Sequence, residues 1–142
     1  EILLITGVGG SLGAVIGASG MGAELGKLFA ADAGAPALLS ILLAWFIAAV
    51  LHLAIGSVSV AALTAAGIVG PILSQLPVPA LVIGLAIASG SMFAVQVNSN
   101  FFWMFKGLLG LSTRGALKTL TVVTCIASLV SLPMVIVASA VL

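Results

Sequence analysis

From Ala37 to Gln75 the chain carries no charged side chain, and its apolar run is interrupted only at Ile55-Gly56-Ser57-Val58-Ser59-Val60. A soluble domain has no place to hide such a stretch. The whole chain agrees, with 63% hydrophobic and 5% charged residues among 142, where soluble domains use about half apolar and a quarter charged residues. The fold class is therefore all-α integral membrane, in contact with a lipid bilayer. Two complete crossings need roughly 20 apolar residues each and a turn that reaches water. The run is slightly short for that, and only Gly-Ser stands at its middle. The expectation is a re-entrant helical hairpin over residues 37–75 with the Gly56-Ser57 tip inside the membrane. Non-helical backbone at that depth is tolerated only when it is buried in protein or lines a water-filled cavity, so the tip is a candidate site.

Three acids, four lysines and arginines and one histidine exclude whole classes of function. A formal net charge of +1 gives no footing for nucleic acid. Ligand sets for a metal or haem need several histidines, cysteines or carboxylates, so no metal and no cofactor is expected. The lone Cys125 excludes an internal disulfide and reads as a packing residue in an apolar run. The chain begins at Glu1 and runs at once into an apolar segment without a basic leader, which reads as a piece of a longer polypeptide.

The remaining units follow in order within a single membrane domain, residues 1–142. Over 1–30, Gly9, Gly13 and Gly17 lie four apart, as do Gly10, Ala14, Ala18, Gly22 and Gly26. These small-residue seams let neighbouring helices approach closely. Glu24, Lys27 and Asp32 mark a water-facing loop. Prolines and polar residues over 70–79 form a second loop. The unit 80–109 starts as an ordinary membrane helix and is then interrupted by Gln96-Val97-Asn98-Ser99-Asn100. Unpaired polar groups there would cost several kcal/mol in hydrocarbon, so a discontinuous transmembrane helix around a polar site is expected. The final helix, 116–142, carries Thr119, Thr121, Thr124, Ser128 and Ser131 ahead of Pro133. These hydroxyls are read as satisfying backbone groups freed near the proline. Three of the four basic residues fall between 106 and 118, which makes that loop cytoplasmic and puts the 75–79 loop outside.

Broken helices meeting near the bilayer midplane present helix N-termini, with their N–H groups and partial positive charge, to an anionic solute. One such helix is expected to start near Ser59 and the other near Phe101. Gly56, Ser57, Ser59, Asn98, Ser99 and Asn100 are the candidate binding residues, with Gln96 as a further contact. His52 lies one turn before the tip, and imidazole is the side chain suited to carry a proton near neutral pH. A histidine held by a backbone carbonyl is the competing reading. The competing role for the serines and asparagines is to bond helices to one another.

The order of these motifs resembles the C-terminal part of the gluconate permease (GntP) family within the ion transporter superfamily. The residues that carry the resemblance are the glycine-rich first helix, Gly56-Ser57-Val58-Ser59-Val60-Ala61, Val97-Asn98-Ser99-Asn100-Phe101-Phe102-Trp103, Leu111-Ser112 and Leu117-Lys118-Thr119. It runs over nearly the whole chain. It implies a transporter half-repeat, one of two inverted repeats each with a re-entrant hairpin and a broken helix, in a proton symporter for gluconate and related sugar or hydroxy acids. Gly56, Ser57 and Ser59 match a tip motif that is usually Gly-Ser-Ala-Thr-Val-Ala, and Asn98 matches the asparagine of His-Val-Asn-Asp-Ser-Gly-Phe-Trp. Here His52 stands where an arginine is common, Gln96 replaces the motif histidine, Ser99 its aspartate, and Asn100-Phe101 its Ser-Gly.

The function expected from residues and resemblance together is a multi-pass secondary transporter of the bacterial cytoplasmic (inner) membrane, not an enzyme. Its partners are a small organic anion, a proton, and the missing N-terminal repeat or a partner chain, with room for a homo-oligomer. The alternatives are a non-transporting membrane subunit docked through the glycine seams, and an ion channel, which the scarcity of charge disfavours.

Overall fold

The computed structural model describes residues 37–141. The glycine seams and the Glu24, Lys27 and Asp32 loop lie outside the described residues. Those described are helical throughout apart from turns, in the order α1 (Ala37–Ile55), α2 (Val58–Val69), a 3-10 extension (Gly70–Gln75), α3 (Ala80–Ser91), α4 (Asn100–Leu108) and α5 (Thr113–Ser139). Within α5 one wide turn, Leu117–Thr121, has the Val122 N–H reaching back to the Leu117 carbonyl.

Among the described residues three helical stretches are long and apolar enough to cross a membrane: Ala37–Ile55, Val58–Gln75 and Thr113–Ser139. At 1.5 Å per α-helical residue and 2.0 Å per 3-10 residue, the first two are each about 30 Å long, the thickness of a bilayer core. The expectation that the 37–75 run is too short for two crossings therefore does not hold. Length alone fits a re-entrant hairpin and two crossings equally.

Packing follows the membrane pattern, with small residues between helices and large apolar ones outward. On α1, Ser40, Ile41, Ala44, Ala48, Ala49 and His52 are buried, whereas Leu39, Leu42, Phe46, Val50 and Leu53 are exposed. The buried face meets α3, whose Val82, Ile83, Ala86 and Ile87 join the same core with Ala65 and Val69 of α2. The approach of α1 to α3 is close at Gly90: a β-carbon there would stand 2.9 Å from the Trp45 carbonyl carbon. Only glycine fits.

Contacts of α1 with α3 and with the segment that follows it pair Trp45 with Gly90, His52 with Phe93 and Leu53 with Asn98. The two helices thus run the same way: α3 stops beside the middle of α1, and the break that follows it reaches the end of α1 at Asn98. Helix α5 returns antiparallel and is bonded to α3 by serines. Ser128 Oγ donates to the Ser89 carbonyl at 2.7 Å and Ser89 Oγ to the Ser128 carbonyl at 3.0 Å. The Ser89 and Ser131 hydroxyls lie 2.6 Å apart, and Trp45 Nε1 donates to Ser128 Oγ at 3.1 Å. Helices α1, α3 and α5 are joined at this level by one polar cluster, each member of which has its partner inside the bundle.

Candidate functional site

The two interruptions of the sequence meet in space. After Ile55 the chain turns at Gly56, with φ 76°, and restarts as α2 behind Ser57. L-residues avoid that backbone region and glycine does not. Space imposes the same choice, because a β-carbon on Gly56 would collide with the Asn98 backbone carbonyl. The second interruption runs from Met92 to Ser99, after which α4 begins. The tip of one break is therefore seated on the backbone of the other.

Side chains join the breaks as well. Asn98 Nδ2 donates to the Leu53 carbonyl at 2.7 Å, taking up an acceptor that the last turn of α1 leaves over. His52 is buried with its Nδ1 2.7 Å from the Phe93 carbonyl, inside the second break. Trp103 Nε1 donates to the Val97 carbonyl at 2.8 Å. Three carbonyls at the breaks, those of Leu53, Phe93 and Val97, thus have side-chain partners, as irregular backbone buried in an apolar setting requires.

A cavity of about 630 Å³ opens where the breaks meet, lined by Ile55, Gly56, Ser57, Val58, Ser59, Asn98, Ser99, Asn100 and Phe101. All six candidate binding residues are there. None of the lining residues is charged, and the polar ones offer hydroxyl and amide groups that both donate and accept. The N-termini of α2 and α4 both face this space, with Ser57 and Ser99 as their N-cap residues. Ser57 Oγ stands 3.5 Å from the Val60 N–H, a long capping contact, and Ser99 makes no side-chain cap bond. Helix α2 starts at Val58 and α4 at Asn100, each one residue earlier than expected. His52 and Gln96 do not line the cavity. His52 sits behind it, on the Phe93 carbonyl. A second cavity, about 530 Å³ at the far end of α5, is lined by Pro133, Met134, Val137, Ala138 and Val141 and offers no polar side chain.

Two residues near the site escaped the sequence reading. Thr121 Oγ1 donates to the Val95 carbonyl, 2.6 Å away, and Thr124 Oγ1 accepts from the Val95 N–H at 3.1 Å. The sequence pattern points these threonines to the proline kink, whereas in the structure they serve the break. A signal was available: Thr121, Thr124, Ser128 and Ser131 recur at spacings of three, four and three, which is one face of a helix. That face is the one turned to α3 and its continuation.

Apolar helix exteriors and, among the described residues, three membrane-length helices define a multi-pass membrane protein. The chain belongs to the GntP permease family, whose model, described as GntP family permease, matches residues 1–141. It is 40% identical over 131 residues to a gluconate permease of Bacillus licheniformis, covering 92% of this chain and 28% of that protein. It is 36% identical over 141 residues to the Gnt-II system L-idonate transporter of Escherichia coli K12, covering 99% of this chain and 31% of the relative. It is also 36% identical over 133 residues to the D-serine transporter DsdX of the same organism, covering 93% and 29%. The chain thus spans about three tenths of the length of the curated relatives it matches. These relatives are named as permeases and transporters, not enzymes. No solved structure matches the chain.

Proposed function

We propose that this chain is the C-terminal part of a proton-coupled secondary carrier for a small organic anion, a sugar acid or hydroxy acid of the gluconate type. The observation that carries the reading is the convergence of two helix N-termini and six hydrogen-bonding or glycine positions on one uncharged cavity of about 630 Å³, within the 300–1,000 Å³ usual for small-molecule sites. Each N-terminus contributes roughly half a positive charge and unpaired N–H groups. Together they offset one carboxylate without a basic side chain. Ser57, Ser59 and Asn100 then meet carboxylate and hydroxyl oxygens, Ser99 lies at the N-cap of α4, and Gly56 lets the tip close onto Asn98. Asn98 spends one amide N–H on Leu53 and keeps its oxygen for the solute. The family relatives, whose names include gluconate, L-idonate and D-serine, support a small hydroxylated solute bearing a carboxylate.

On this reading 37–75 is a re-entrant hairpin, and α3, the break and α4 form one discontinuous crossing. The physical reason is that α3 has 12 residues, about 18 Å, too short to cross alone. Helix α3 stops beside Trp45 and the break then runs to the hairpin tip at Asn98; a crossing completed by α4 beyond that point keeps the tip inside the bilayer. Lys106, Arg114 and Lys118 flank the turn between α4 and α5, on the cytoplasmic side. The rest of the cavity wall comes from a second repeat or a partner chain, and alternating access moves one part against the other. The host membrane is the bacterial inner membrane.

The test is uptake of labelled gluconate, other sugar acids, hydroxy acids and dicarboxylates by vesicles carrying the full-length protein, with and without an inward pH gradient. Saturable uptake of one class, faster with the gradient, is expected, and Ser57→Ala raises KM about tenfold through loss of a hydrogen bond to a charged group. Unchanged kinetics in Ser57→Ala and Ser59→Ala together would remove the site assignment. Absence of any uptake by inserted protein would remove the carrier reading.

A further inference from the structure

Val95 is held at both ends of its residue by one neighbouring helix. Its carbonyl accepts from Thr121 Oγ1 and its N–H donates to Thr124 Oγ1 at 3.1 Å. The Thr124 hydroxyl spends its own proton on the Thr121 carbonyl, 3.0 Å away, so its oxygen is left to accept from Val95. Two hydroxyls thereby replace what a neighbouring strand would give an extended residue. Thr121 closes the wide turn Leu117–Thr121, and single turns of this kind inside α-helices are frequent at functional sites.

What the pair holds is strained. Ala94, next to Val95, has φ 56°, the only non-glycine residue with positive φ among the described residues, in a region that costs an L-residue free energy in every other setting. It is also buried. Four to six residues on stand Asn98, Ser99 and Asn100, which line the cavity. Without the two hydroxyls the buried Val95 peptide groups lose their partners, and the turn at Ala94 is held only through its neighbours Phe93 and Asn98.

We propose that Thr121 and Thr124 are positioning residues for the cavity, a two-hydroxyl clip through which α5 fixes the break carrying Asn98 to Asn100. The inference rests on the substrate-site reading above. It makes α5 and the break one mechanical unit, so that any movement of α5 during transport is delivered to the cavity wall through Val95. Neither threonine touches the solute.

The experiment uses the full-length protein in lipid nanodiscs and in vesicles, with Thr121→Val, Thr124→Val and the hydroxyl-keeping Thr121→Ser and Thr124→Ser. Amide hydrogen exchange over residues 92–99 is measured beside the KM and maximal rate of uptake. The Val variants are expected to exchange the Val95 amide at least about tenfold faster and to raise KM about fivefold or more at a maximal rate within about twofold. Serine at either position restores both. Unchanged exchange in both Val variants overturns the clip, whether or not Ser57→Ala impairs uptake. Faster exchange with unchanged KM, in a protein whose Ser57→Ala form does impair uptake, overturns the positioning role and leaves the site reading standing. Faster exchange with KM insensitive to both Val variants and to Ser57→Ala removes the site reading and the positioning role with it. The unaltered protein supplies a measurement that survives misfolding of the variants: a Val95 amide exchanging at the rate of an open chain overturns the clip directly.

Discussion

Replacing Gly56 by alanine tests the seating of one break on the other, and its effect is calculable from two features of the tip. At φ 76° an L-residue pays about 1–2 kcal/mol that glycine does not. The added β-carbon would also lie 2.7 Å from the Asn98 carbonyl carbon, inside van der Waals contact, and the neighbour is backbone that cannot rotate aside. The tip must therefore withdraw from residue 98. Withdrawal stretches the Asn98–Leu53 and His52–Phe93 hydrogen bonds, each 2.7 Å, worth about 0.6 kcal/mol apiece in a membrane bundle. The sum, about 2–3 kcal/mol, corresponds to roughly 30- to 150-fold in the population of the closed arrangement. Uptake of the transported acid by vesicles, normalised to inserted protein, should show KM raised more than tenfold. Gly107→Ala is the reference, because a β-carbon at Gly107 meets nothing within 4 Å, and its uptake should match the parent within about twofold. Gly56→Ala with kinetics equal to Gly107→Ala would refute the argument that the tip bears on Asn98.

Other substitutions address the remaining contacts. His52→Gln keeps a donor near the Phe93 carbonyl, so gradient-driven uptake should persist at reduced rate; uptake that loses its dependence on the pH gradient while solute exchange survives would assign His52 to proton transfer instead. Trp45→Phe removes the Nε1 donor to Ser128 and should cost about 0.6–1 kcal/mol, read as a drop of about 1 °C in thermal unfolding of the full-length protein. Gly90→Leu forces α1 and α3 apart at the Trp45 carbonyl, and the protein should become sensitive to protease in detergent, whereas Gly70→Ala, with nothing within 4 Å, should remain resistant.

Much of the helix layout was readable along the chain, because its signals are local. Gly56-Ser57 stops a helix for want of side chains that favour one, and Gln96 to Asn100 places amides and hydroxyls where apolar residues would otherwise continue. The lengths misled: counting apolar residues suggested 37–75 was too short for two crossings, but the 3-10 extension at Gly70–Gln75 stretches the second arm to about 30 Å. For the hydroxyls of α5 the nearest anomaly in sequence is Pro133, but their partners lie far away in sequence, at Val95 and Ser89. Spacing identifies a face and does not say what that face meets.

By itself, then, the sequence determined the solvent, the helical class and the two places where helices break. A chain with this little charge has only the bilayer to fold in, and the breaks are set by residue types within a few positions of each other. Only the tertiary structure decided which groups satisfy the broken backbone. Leu53 with Asn98, Phe93 with His52 and Val95 with Thr121 and Thr124 are separated by 26 to 45 residues. Which acceptor meets which donor is fixed by the directions of the helices and the close approach of α1 to α3 at Gly90, and those are properties of packing that no local pattern records.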